Sequence, residues 1–104
     1  MIKEIKNENF DTEIKDELVL VDFYASWCGP CKMMHPVIAQ LAEINPHLKI
    51  LKVNVDERED IARDYGIMTI PTLILFKNNE IKEKNIGFTP RNVLEKWIEN
   101  HKDN

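Results

Sequence analysis

The side chains of this chain that could do chemistry are two thiols and two ionisable groups set in apolar runs. Cys28 and Cys31 are its only cysteines, in the stretch Trp27-Cys28-Gly29-Pro30-Cys31. Residues three apart are neighbours on a helix surface, with Cβ atoms roughly 5–6 Å apart. A disulfide needs about 3.5–4.5 Å, so a small adjustment in a first helical turn closes the bridge. A helix start also offers unpaired N–H groups and positive dipole potential. Both favour the thiolate, the nucleophilic form, at Cys28. Pro30 suits an early helical position, where its missing N–H costs little. Gly29 leaves room for another backbone to approach. The chemistry implied is reversible dithiol–disulfide exchange. Two blander readings stand beside it: inert buried thiols, or half a zinc site with His35 as a third ligand one turn beyond Cys31. Structural zinc wants four ligands, and no fourth lies nearby in sequence, so no metal is expected. His47 and His101 read as surface residues.

Asp22 and Lys52 are the two ionisable groups. Asp22 stands inside Leu18–Tyr24, LVLVDFY. A charged carboxylate there is costly unless paired, and burial raises its pKa. By the residues alone, a satisfied structural Asp and a functional one are equally good readings. Lys52, in LKILKVNV, reads as a strand lysine whose stem lies on apolar surface while its head reaches water.

These groups need elements to position them. Met1–Lys6 reads as a short first strand, and Phe10 with Ile14 suggests a short helix. Leu18–Tyr24 is nearly all apolar, as expected for a parallel strand covered on both faces. Cys28–Ile44 reads as a helix with the stripe Met34, Val37, Ile38, Leu41 and Ala42, kinked at Pro36. Lys49–Val55 is a second central strand. Asp56 is placed to cap the next helix and Gly66 to end it, with Ile61 and Tyr65 on its buried face. Thr72–Lys77 and Glu80–Ile86 form a hairpin around Asn78-Asn79, since Asn tolerates the positive φ of a two-residue turn. Thr89-Pro90 opens a last helix burying Val93, Leu94, Trp97 and Ile98. The order is βαβαβαββα: a parallel sheet first, then antiparallel strands. Cys28 then lies at the carboxyl end of a central strand, where open α/β sheets place their sites.

With 104 residues, the chain reads as one domain, 1–104. An apolar fraction of 43% argues against disorder, and the net charge of −4 against a nucleic-acid partner. No apolar stretch approaches the roughly 20 residues of a membrane span. Met1–Phe10 lacks the apolar core of a signal peptide, which makes the expected location cytoplasmic. A single close Cys pair there reads as redox-active or metal-binding.

The set Asp22-Phe23-Tyr24-Ala25, Trp27-Cys28-Gly29-Pro30-Cys31-Lys32, Pro36, Lys52-Val53-Asn54-Val55-Asp56, Tyr65-Gly66-Ile67, Ile70-Pro71-Thr72 and Gly87 resembles the thioredoxin family over essentially the whole chain. The resemblance implies the α/β thioredoxin fold, a central mixed five-stranded sheet flanked by four helices. It implies a monomeric protein-disulfide reductase. Cys28 attacks a substrate disulfide and Cys31 resolves the mixed disulfide. A thioredoxin reductase, NADPH- or ferredoxin-linked, recharges the pair. No Gly-x-Gly-x-x-Gly fingerprint occurs, so no bound cofactor is expected. The resemblance also gives roles. Asp22 becomes a buried carboxylate behind the disulfide that moves the proton of the second cysteine, with Lys52 paired to it. Trp27 shields the disulfide. Pro71 is a cis-proline lying against the disulfide, and leaves the Ile70 and Met68 region free to pair with a substrate strand. Gly87 leaves space on the same rim. Departures are Tyr24, where many relatives have Trp, Asn79, where many have Gly, and the variable pair Met68-Thr69. A second function class is a non-catalytic binding module or accessory subunit using the rim of Trp27, Pro30, Ile70, Pro71 and Gly87. A third is an oxidase or isomerase of the same fold. Gly29-Pro30 resembles reducing members, whereas a histidine between the cysteines would make the disulfide more oxidising.

Overall fold

A computed structural model describes residues 1–102; the last two residues of the expected domain lie outside the described residues. The elements are β1 (Ile2–Glu4), α1 (Phe10–Glu13), β2 (Leu18–Tyr24), α2 (Gly29–Ile44), β3 (Lys49–Asn54), α3 (Glu59–Asp64), β4 (Thr72–Lys77), β5 (Glu80–Ile86) and α4 (Arg91–His101). Their order matches the sequence expectation. The five strands form one sheet in the order β1-β3-β2-β4-β5. β1, β3 and β2 run parallel, while β4 is antiparallel to both β2 and β5.

Alternation along the strands divides the core. Val19, Val21 and Phe23 of β2 face one side with Phe10, Ile14, Ile61 and Phe76. Leu20 faces the other with Met34, Ile38 and Leu41 of α2 and Leu94, Trp97 and Ile98 of α4. Asp22 and Tyr24 follow Leu20 at the same parity, so they belong to the α2 side. The parallel register pairs Asp22 with Lys52, and Lys52 with Glu4. A row of three charged residues therefore crosses the sheet on that side.

Four boundaries differ from the sequence reading. β1 ends at Glu4. Ile5 still donates to the Lys52 carbonyl (2.9 Å), but the Lys6 N–H turns to the Glu8 carboxylate (2.6 Å). β3 ends at Asn54, whose carbonyl accepts the N–H groups of Glu57 and Arg58 and starts a turn. Cys28 is the N-cap of α2 and not its first residue. Asp56 does not cap α3, whose N-cap is Arg58. The Arg58 guanidinium bonds the carbonyls of Lys6 and Glu8 and the carboxylate of Asp60, which fixes the chain just before α3.

Other local expectations hold. Asn78 and Asn79 have φ of 51° and 71°, both left-handed as the two-residue turn requires. Gly66, at φ 64°, follows the end of α3. Pro90 is the N-cap of α4, so Thr89-Pro90 opens the last helix.

Candidate active site

Cys28 follows the carboxyl end of β2 and opens α2. Its φ of −91° and ψ of 118° are those of a capping residue, and its sulfur accepts the Cys31 N–H at 3.2 Å. Gly29 and Pro30 occupy the first turn, where Pro30 lacks an N–H that would have had no intrahelical partner. Cys28 and Cys31 are joined as a disulfide, with Cα atoms 5.2 Å apart. Cys31 is 0% exposed and Cys28 4% exposed. The outer sulfur of the pair is thus also the one that receives a helix-terminal N–H.

The disulfide packs with Ala25 against Tyr24, Val55 and Ile70. Cys28 Sγ lies 3.8 Å from the Ile70 carbonyl oxygen. The Ile70–Pro71 peptide is cis, and the Pro71 carbonyl accepts the Gly87 N–H at 2.7 Å. Ile70, Pro71 and Gly87 are thereby brought to the disulfide from a distant part of the chain. Gly87 has φ 99°, and a Cβ there would meet open space. Backbone conformation, not crowding, is what requires glycine. Gly29 and Pro30 are exposed and Pro71 is buried. Trp27 is 71% exposed and Met68 94% exposed. A groove of about 420 Å³ lies between the start of β2 and the end of α2, at the opposite end of the sheet. The chemistry therefore sits on an open rim and not in that groove.

Asp22 is fully buried, and neither carboxylate oxygen has a hydrogen-bond partner among the described residues. Burial pushes its pKa up to about 6; the Lys52 charge opposes this in part and Glu4 adds to it. The expected direct pairing of Lys52 with Asp22 is not what the structure shows. Lys52 Nζ instead meets His35 Nδ1 and lies 4.8 Å from the centre of the Tyr24 ring. A flexible lysine takes whichever partners its head can reach, and here a ring nitrogen and a π face lie closer to solvent than Asp22 does.

Sequence reading missed three partners. Asp56 accepts the Trp27 indole N–H at 2.8 Å, and its own N–H goes to Asn54 Oδ1 at 2.9 Å. Tyr24 donates its hydroxyl to Glu4 at 2.7 Å. His35 faces Lys52, not the cysteines. The partners lie 29, 20 and 17 residues apart in the chain, so nothing local announces any of the three. Among the described residues, no three His, Cys, Asp or Glu side chains group as metal ligands.

A dithiol pair at a helix start beside an Ile-Pro loop on a mixed sheet defines a disulfide-exchange protein. Comparison with known proteins specifies it. The thioredoxin family model matches residues 1–100. The chain is 43% identical to a thioredoxin of Bacillus subtilis (strain 168) over 96 residues, which is 91% of this chain and 92% of that protein. It is 46% identical to a thioredoxin of Chlorobaculum thiosulfatiphilum over 101 residues, 94% of each. Its structure superposes on that of a thioredoxin variant from Halobacterium salinarum NRC-1 with a TM-score of 0.90 and 34% identity, covering 99% and 92% of the two chains. The chain belongs to the thioredoxin family, and its Cys28–Cys31 pair carries out dithiol–disulfide exchange. Family membership implies protein substrates and a reductase as its partners in general terms.

Proposed function

We propose that the chain works as one monomeric domain that reduces protein disulfides in the cytoplasm. Cys28 thiolate attacks one sulfur of a substrate disulfide, forming a mixed disulfide and releasing the other substrate sulfur as thiolate. Cys31 thiolate then attacks Cys28 Sγ, releasing the second substrate thiolate and leaving the Cys28–Cys31 bridge. The observation that carries this order is the asymmetry of the pair. Cys28 keeps the only exposure and receives the Cys31 N–H, which stabilises its thiolate, while Cys31 is sealed. Asp22 takes the proton from Cys31 as it becomes a nucleophile, and Lys52 tunes Asp22 through its charge. A carboxyl near pKa 6 is poised for such a transfer at neutral pH.

Trp27, Gly29, Pro30, Ile70, Pro71 and Gly87 form the rim that receives the substrate chain. The bound substrate is an extended segment whose backbone pairs beside Ile70. The pair is recharged by a thioredoxin reductase, NADPH- or ferredoxin-linked, so the chain itself needs no cofactor. Neither nucleic acid nor membrane is a partner.

Trapping tests the order of attack. Cys31→Ser incubated with disulfide-bonded insulin should accumulate mixed disulfide, and Cys28→Ser should give almost none by mass spectrometry. Equal adduct from both variants would reverse or abolish the assignment. Reduction of insulin by the unmodified protein with NADPH and a bacterial thioredoxin reductase checks the turnover.

A further inference from the structure

Asp22, Lys52 and Glu4 stand in one cross-strand row beneath α2, and adjacent strands are only about 4.7–4.9 Å apart. The four-carbon stem of Lys52 is therefore long enough for its ammonium to reach the Asp22 carboxylate. It does not do so. The ammonium instead meets His35 Nδ1 and lies over the Tyr24 ring, 4.8 Å from its centroid. The His35 ring itself packs edge-on against Tyr24, with centroids 5.9 Å apart and planes at 78°. Tyr24 is in turn anchored to Glu4 by its hydroxyl. The four residues make a clasp, and Asp22, the cross-strand neighbour of Lys52, has no hydrogen-bond partner among the described residues.

An ammonium has donors only, so His35 Nδ1 must be the acceptor and the ring proton sits on Nε2. This requires neutral imidazole. Desolvation and the Lys52 charge push the His35 pKa below its ordinary value, with Glu4 opposing in part, in the direction of the neutral form that this contact requires. Protonation would turn the acceptor into a donor and set two cations against each other.

We propose that His35 is a positioning residue that holds the Lys52 ammonium against Tyr24 and out of contact with Asp22, leaving that carboxylate free to accept the proton of Cys31. The last clause rests on the role given to Asp22 above; the positioning does not. The ionisable groups facing this network are Glu4 from β1, Asp22 and Tyr24 from β2, Lys52 from β3 and His35 from α2, with Glu57 acting on Tyr24 from farther off.

His35 is exposed, so replacing it leaves the core intact. His35→Leu removes the acceptor, while His35→Asn keeps an acceptor oxygen near the place of Nδ1. The Asp22 carboxyl is followed by 13C NMR across pH 4–9 in the reduced protein. Release of Lys52 towards Asp22 should lower the Asp22 midpoint by about one unit in His35→Leu, the size expected for a carboxylate gaining a nearby cation. His35→Asn should stay close to the unmodified protein. In parallel, the rate at which Cys31 resolves a preformed mixed disulfide is measured over the same pH range, and its inflection should move with the Asp22 midpoint. An unchanged midpoint in His35→Leu, or equal shifts in both variants, would overturn the positioning role. A shifted midpoint with an unshifted resolution profile would uphold the positioning and overturn the role of Asp22 as proton acceptor.

Discussion

On the α1/α3 side of the sheet, Phe10, Phe23, Tyr65 and Phe76 pack ring against ring, with centroids 5.4 to 6.5 Å apart. Val19, Val21, Leu51, Val53 and Ile74 fill the remaining space. On the α2/α4 side the core is aliphatic except for Trp97 and Met34, and one strand position that would take another aliphatic residue is Asp22. The same strand, β2, supplies both sides. The difference teaches where this fold spends its stability. One side maximises apolar and aromatic contact. The other keeps a buried carboxyl without a partner, which no folding argument favours, at the side from which α2 presents Cys31. Stability and reactivity are assigned to opposite faces of one strand.

Breaking the aromatic side should have the largest effect on stability. Phe76→Ala removes a fully buried ring that touches Phe10 and Tyr65, and should destabilise the fold by about 3–5 kcal/mol. Measured well below the unfolding transition, its disulfide-exchange rate should stay within about twofold of the unmodified protein. A large loss of rate in the folded variant would show that the two sides are not separable.

Asp22→Asn probes the other side and has a pH signature. The folded carboxyl is raised from 3.8 to about 6, so ionisation opposes folding. The destabilisation is absent below the unfolded value, grows between the two values and is constant above the upper one. A gap of about two units corresponds to roughly 3 kcal/mol. Urea midpoints at pH 7.5 should therefore favour the Asn variant by up to that amount relative to the same comparison at pH 4. The neutral amide still lacks a partner, which costs both measurements alike. Resolution of the mixed disulfide should slow, by about 10²-fold or less. A pH-independent difference in stability would remove the buried-charge explanation.

The smallest effect separates two glycines. Gly87 (φ 99°) lies on the rim, and Gly66 (φ 64°) ends α3; neither would clash through an added Cβ. Gly66 is in the ordinary left-handed region, whereas Gly87 is beyond it. Gly87→Ala should cost about 1–3 kcal/mol and Gly66→Ala about 1 kcal/mol, by thermal or urea unfolding. Gly87→Ala should also weaken substrate capture, since its N–H holds the Pro71 carbonyl.

Much of this molecule is legible along the chain, and for a local reason in each case. The nearly all-apolar run of Leu18–Tyr24, interrupted only by Asp22, marks a strand covered on both sides. The spacing of Met34, Ile38 and Leu41 marks the buried stripe of α2. The two asparagines mark a turn whose positive φ they tolerate. Cys28 and Cys31 at i,i+3 on a helix start mark a closable pair. Where local patterns compete with distant partners, the sequence misleads. Asp56 looks like a helix cap, but a tryptophan 29 residues away takes its carboxylate. The family resemblance implies Lys52 as a partner for Asp22, but His35, 17 residues before it, meets the ammonium instead.

Periodicity, turn chemistry and the spacing of the cysteines thus determine the elements, the β4–β5 hairpin and the reactive pair, because each depends on contacts within a few residues. Tertiary structure alone decides that β2 lies between β3 and β4, that the Ile70 carbonyl arrives beside Cys28 from 42 residues away, and that Asp22 is sealed with no partner among the described residues. Those outcomes depend on which distant surfaces pack together once the apolar faces are buried, and no local pattern encodes that choice.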